Sequence, residues 1–315
     1  MKKYSAKTVF NVLLIVAAYG YLIYTFVTFD SYDELLLHFR TAGWPQLGAL
    51  AAAVALIPVN FLCEAWKWKY LLRRLEPMSI GEAQRQVYYG VVGAMLTPER
   101  LGDYPTRVTR IADKSKWLPA IALGFVGSMG LSSVNILGGV TSLMSSGLDI
   151  GDNKSQVLWI AGGLLCAFVA VVILLPSFAR KKTRRAEVAQ TDGKPGSWQN
   201  ILVVLSDFRA WEFPVVVAIS FVRYVVYCTQ LLLVLIACGV ELTLVQYLTI
   251  IPIHYLFVTV VPTVPVADAA VRGSVGVLIF SAFTDNSAGV AIAAIVLWVL
   301  NTIIPCIVGT MVKKG

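Results

Sequence analysis

The chain has 315 residues, 57% of them hydrophobic and only 14% charged, with a formal net charge of +8. So little polar surface cannot keep soluble domains in water, and lipid is the expected solvent for most of the chain. The positive balance does not point to nucleic acid, because the bases gather in loops on one side instead of lying over a soluble domain with aromatics interleaved.

A helix needs about 20 apolar residues to cross the hydrocarbon. The first charge-free run, Thr8–Phe29, follows Lys2, Lys3 and Lys7. It is longer than a signal-peptide core and no small-residue cleavage site follows it, so a retained span is expected. Trp44–Cys63 is the second run. Gln86–Pro98 is about half the length needed and runs directly into the charged stretch Pro98 to Arg107. Trp117–Leu148 and Ser155–Ala179 are again long enough, and the basic segment 180–200 separates the fourth span from the fifth. Phe213–Val240 is interrupted only by Arg223. Leu242–Ala267 is long enough to cross but carries Pro252, Pro262 and Pro265, and Asp268, Arg272 and Gly273 follow before the last run, Asn286–Val312.

Proline removes backbone donors, and unsatisfied backbone survives at membrane depth only beside protein or a watery cavity. Two broken segments therefore imply a cavity. The expected fold is an all-α polytopic membrane protein: about six full transmembrane helices plus two re-entrant or broken hairpins. Its halves, about 1–150 and 151–315, form an inverted repeat within one integral membrane domain, an arrangement found in secondary transporters. Eight ordinary spans, some of them short, are the alternative. With alternating loops, 22 of the 26 Lys and Arg fall on one side, and the positive-inside rule puts both termini in the cytoplasm.

Chemistry concentrates in two places. Pro98, Glu99, Arg100, Gly102, Asp103, Arg107 and Arg110 form a turn whose glycine and prolines let backbone approach a ligand. If a helix starts near Asp103 to Pro105, Arg107 and Arg110 share a face, and guanidinium forks with helix-end amides suit a phosphate. The plainer reading is a charged cytoplasmic loop with its acids and bases paired. Asp268 and Arg272, four apart, suit a helical ion pair, which does not exclude a gate. Arg223 lies too deep to snorkel and needs an anion, either a carboxylate such as Asp268 or a lipid headgroup. His254 is either a proton shuttle or a histidine bonded to a neighbour. Asn60 and Asn135 read as interhelical hydrogen-bonding residues, and Trp44, Trp66, Trp68 and Trp159 as interfacial anchors. The five cysteines lie in or beside apolar runs without metal or redox spacing. Hydrolase, zinc and nucleotide-loop motifs are absent, so no enzyme activity, cofactor or metal is expected.

At Leu96-Thr-Pro-Glu-Arg-Leu-Gly-Asp103, with Arg107 following, the chain resembles the lysylphosphatidylglycerol synthase transmembrane-region family, also called flippase-like domain proteins. The resemblance runs through the spacing of spans, the basic central loop and a second segment, Pro265 to Ser274. There the family has a glycine-rich turn ending in Arg-Glu, whereas this chain has alanines, and Gly273 stands in the place of the glutamate. The resemblance implies movement of a lipid or lipid-linked substrate between leaflets. The expected function is thus a flippase or transporter of a bacterial inner membrane. Its partner would be an anionic phospholipid or a polyprenyl phosphate, and a homo-oligomer is compatible with the sequence. The substrate residues would be Arg100, Arg107, Arg110, Arg223 and Arg272, oriented by Asp103 and Asp268. A membrane-embedded enzyme using Glu99 and Asp103, or a scaffold subunit of envelope synthesis, remains the alternative.

Overall fold

The structure, a computed structural model, describes residues 42–97, 100–146, 197–209, 211–261 and 265–312, with isolated positions elsewhere. Every regular element among them is helical: α1 Trp44–Leu72, α2 Ile80–Met95, α3 Asp103–Val108, α4 Trp117–Ser145, α5 Ser197–Asp207, α6 Glu212–Ala237, α7 Leu244–Val260, α8 Pro265–Phe280, α9 Ser287–Trp298 and α10 Ile304–Met311. A π-helical turn, Val299–Ile303, joins α9 to α10. Four helical stretches are long and apolar enough to cross a membrane: Trp44–Leu72, Lys114–Ser145, Glu212–Ala237 and Ser287–Met311. They coincide with four of the six apolar runs in the sequence; the expected spans at 8–29 and 155–179 and most of the basic linker lie outside the described residues.

Local chemistry sets the ends of these helices. Pro45 stands in the first turn of α1, where its missing N–H costs nothing, and the Gln46 side chain accepts from Gly43 N–H at 3.1 Å. Ser79 caps α2 by accepting from Glu82 N–H at 3.1 Å. Thr243 and Gln246 form a capping box at α7. At 16 residues each, α2 and α8 reach only about 24 Å, short of the roughly 30 Å hydrocarbon core.

The proline-broken segment differs from expectation. Pro252 lies inside a continuous α7, and the chain leaves the helix only at Val261, just before residues 262–264. Proline removes one i→i−4 bond, and the turns on either side, packed against α4, carry the helix through. The close approach needs Gly139 on α4, where a Cβ would stand 2.9 Å from the Pro252 carbonyl oxygen.

A second difference lies at the end of α1. The stretch from Glu64 to Leu72, beyond the apolar run that ends at Cys63, continues the helix for another nine residues. It is buried along Glu64, Ala65, Lys67, Trp68, Leu71 and Leu72. α1 packs lengthwise on α6, and α2, α4 and α9 close around this pair. At one end Glu212 of α6 is fully buried and accepts from Arg73, from Arg74 at 2.6 Å and from the Arg209 N–H at 2.9 Å. This clamp locks the two central helices together.

Candidate functional site

Behind the α2–α3 turn lies a cavity of about 560 Å³, walled by α1, α2, α3, α4, α6, α7, α8 and the α9–π junction. That is within the range of sites for small molecules and headgroups.

Its charged floor is built on Glu64. One carboxylate oxygen accepts from Arg107 at 3.0 Å; the other takes Lys67 at 2.7 Å and also Arg223. Arg107 in turn grips Asp103 with two parallel bonds, Nε to Oδ1 at 2.7 Å and Nη2 to Oδ2 at 2.8 Å. Its guanidinium also lies over the rings of Tyr104 and Trp68, 4.9 and 5.3 Å from their centroids. Arg107 and Glu64 are almost fully buried, with side chains 3% and 4% exposed, while the Arg223 side chain keeps 20% exposure. Arg223 also donates to Asn60 Oδ1 at 2.8 Å, and Asn60 donates to Asn301 at 2.8 Å. On the far wall Asn135 accepts from Tyr227 and donates to Thr259 at 2.9 Å.

From α8, Arg272 reaches the cavity while bonded to Asp268 at 2.8 Å. The expected i,i+4 ion pair is therefore present. Arg100 enters from the turn with φ of 56°, a left-handed backbone that a residue with a Cβ adopts only at a cost of about 1–3 kcal/mol. Among the described residues it makes no ion pair. Burial pulls its guanidinium below its ordinary pKa, and the carboxylates of Asp103 and Asp268 act in the opposite sense.

The turn itself is held by Thr97, whose Oγ1 accepts from Gly102 N–H at 2.6 Å and donates to the Gly93 carbonyl at 3.0 Å. The α2 and α3 backbones touch at two glycines: a Cβ on Gly93 would lie 2.5 Å from the Gly102 oxygen, and one on Gly102 would lie 2.4 Å from the Gly93 oxygen. With its amide taken by Thr97, Gly102 serves packing. The turn presents the Arg100 and Arg107 side chains to the cavity.

The structure thus brings Arg100, Asp103, Arg107, Arg223 and Arg272 to one space, with Asp268 behind Arg272. Pro98 and Glu99 lie outside the described residues. Arg110 does not join: α3 ends at Val108, and Arg110 turns back to Glu82 at 3.0 Å. The anion for Arg223 is Glu64 and not Asp268. Asn60 and Asn135 do bond between helices as expected, yet both also line the cavity. His254 is buried outside the cavity, and its Nδ1 has no hydrogen-bond partner among the described residues.

Glu64 and Lys67 were the residues missed. Their signal was spacing: Asn60, Glu64 and Lys67 fall on one face once α1 runs past the apolar stretch. Three lining residues, Leu101, Phe125 and Val260, expose 49%, 40% and 40% of their surface, so apolar side chains of the cavity lining also face the outside of the bundle.

No curated protein matches the chain. The motif that supplies Arg100, Asp103 and Arg107, set among four membrane-length helices, agrees with what family comparison returns across residues 9–309: this multi-pass membrane protein belongs to the family described as the lysylphosphatidylglycerol synthase TM region.

Proposed function

We propose that the chain carries an anionic amphiphile between the leaflets of a bacterial inner membrane, with the headgroup in the cavity and the tail left in lipid. The observation behind this reading is the combination of five cationic side chains inside the cavity with exposed apolar lining residues, Leu101, Phe125 and Val260. A soluble anion needs no exposed apolar lining, and a wholly apolar lipid gains nothing from buried arginines. The family's name, taken from a lipid-modifying synthase, supports a lipid substrate.

Transport is favoured over catalysis because the described lining carboxylates are committed. Asp103 is held through both oxygens by Arg107, and Glu64 is shared by three cations, so neither is left to act as acid or base. The topology in this reading is N-in and C-in, with six full spans and two re-entrant hairpins, α2–α3 and α7–α8, related as an inverted repeat. The short helices and the one-sided distribution of Lys and Arg support it.

The test is transbilayer movement of fluorescent phosphatidylglycerol and of a polyprenyl-phosphate analogue in proteoliposomes. The native chain should move at least one of them, and Arg100→Ala, folded as judged by gel filtration and melting, should lose about tenfold in rate, equivalent to roughly 1.4 kcal/mol. A folded native chain that moves neither lipid would overturn the reading, and conversion of either lipid to a new product would replace it with an enzyme.

A further inference from the structure

Resting on that reading of the cavity, a count of charge narrows the headgroup. Glu64 and Asp103 face Lys67, Arg107 and Arg223, which leaves one positive charge over. Arg272 is balanced by Asp268. Arg100 adds a second positive charge to the count: it makes no ion pair among the described residues, and the carboxylates that act on it, Asp103 and Asp268, are already paired with Arg107 and Arg272.

The cations also divide by exposure. Lys67 and Arg107 are sealed in, each with 3% of its side chain exposed, and serve to hold Glu64 and Asp103. Arg223 and Arg272 keep 20% and 27% exposure and both line the cavity, as does Arg100. Three guanidiniums therefore converge on one space from α6, α8 and the α2–α3 turn. A phosphodiester offers one negative charge and two unesterified oxygens. A phosphate monoester carries about −1.5 to −2 at neutral pH and has three strong acceptor oxygens. Among the described residues, two surplus charges and three donor forks match the second.

We infer that the cavity recognises a terminal phosphate monoester, carried on a lipid or on a small soluble molecule, in preference to a phosphodiester headgroup. Arg100, Arg223 and Arg272 each engage the phosphate oxygens, and Arg100 supplies the charge that separates monoester from diester.

The experiment measures binding to the full-length chain in nanodiscs of phosphatidylcholine at pH 8. The probes are dioleoyl phosphatidic acid, dioleoyl phosphatidylmethanol, which differs only by esterification of the phosphate, and sn-glycerol 3-phosphate. Phosphatidic acid should bind about tenfold tighter than phosphatidylmethanol. Arg100→Gln should shrink that ratio to about threefold or less, while Arg100→Lys, which keeps the charge, should hold most of it. Equal binding of the two lipids, both above phosphatidylcholine, overturns the monoester inference and leaves the amphiphile reading standing. Binding of glycerol phosphate as tight as that of phosphatidic acid supports the monoester chemistry and overturns the lipid source. Binding of none of the three to a folded chain overturns both.

Discussion

The two broken segments are built on different plans. The α2–α3 turn is knit into the rest of the protein: Arg107 ties it to Glu64 on α1, Glu64 extends the tie to Arg223 on α6, and the Gly93–Gly102 contact brings backbone against backbone. The α7–α8 segment has a short-range arrangement, in which the Asp268–Arg272 pair closes within one helical turn beside residues 262–264. Charges that must be satisfied across three elements fix those elements relative to one another, whereas a pair within one turn fixes only its own helix. The first segment is thus tied into the cavity wall by charge, whereas the second is held mainly by the packing of α7 on α4 and of α8 on α9.

Breaking the hub should have the largest effect. Glu64→Gln leaves Lys67, Arg107 and Arg223 without their shared carboxylate, and stability should fall by about 3–5 kcal/mol, as for a buried ion pair losing one partner. The check is the melting temperature and monodispersity of the purified chain; an unchanged melt would show that the cluster is not what holds the first segment.

Wedging the backbones apart comes next. In Gly93→Ala the new Cβ would meet Thr106 Oγ1 at 1.8 Å and the Gly102 oxygen at 2.5 Å, and overpacking of this kind costs about 1–3 kcal/mol. Thermal unfolding measures it, and loss of the Arg100 site should accompany it as reduced lipid binding. Asp268→Asn tests the second segment. Arg272 remains partly exposed to the cavity, so the loss should be about 1–2 kcal/mol, well below that of Glu64→Gln. A double mutant should be additive with it, within about 0.5 kcal/mol, if the two segments are independent.

The smallest expected change has the opposite sign. Arg100→Gly relieves a left-handed backbone that glycine adopts freely and should raise stability by roughly 1 kcal/mol while lowering lipid binding. A variant that melts higher and binds worse would separate the strain at this position from its use.

Much of this organisation was legible in the sequence. The four described membrane-length helices follow from apolar runs, and the turn after Met95 follows from glycine, proline and a dense set of charges. The Asp268–Arg272 pair follows from its spacing. What could not be read was which charge answers which. Glu64 and Lys67 looked like the start of a loop because an apolar run ends at Cys63, yet tertiary packing against α6 extends the helix and buries them. Arg110 looked like a partner of Arg107 because helical spacing was assumed to continue, but α3 stops after six residues and Glu82 offers a nearer carboxylate. Pro252 looked like a break because a single sequence does not contain the neighbouring helix that supports it. In each case the missing information was a contact between elements far apart along the chain.

The π-helical turn at Val299–Ile303 has a consequence of phase. A wide turn holds more residues than an α turn, so everything after it is rotated about the helix axis relative to a regular helix. Here Leu297, Trp298, Asn301 and Thr302 all reach the cavity wall, and Asn301 meets Asn60, the residue that receives Arg223. Which side chain stands opposite the guanidiniums is therefore governed by where the extra residue sits along this helix. Sliding the wide turn by one position would exchange the facing group without any displacement of the helix as a body.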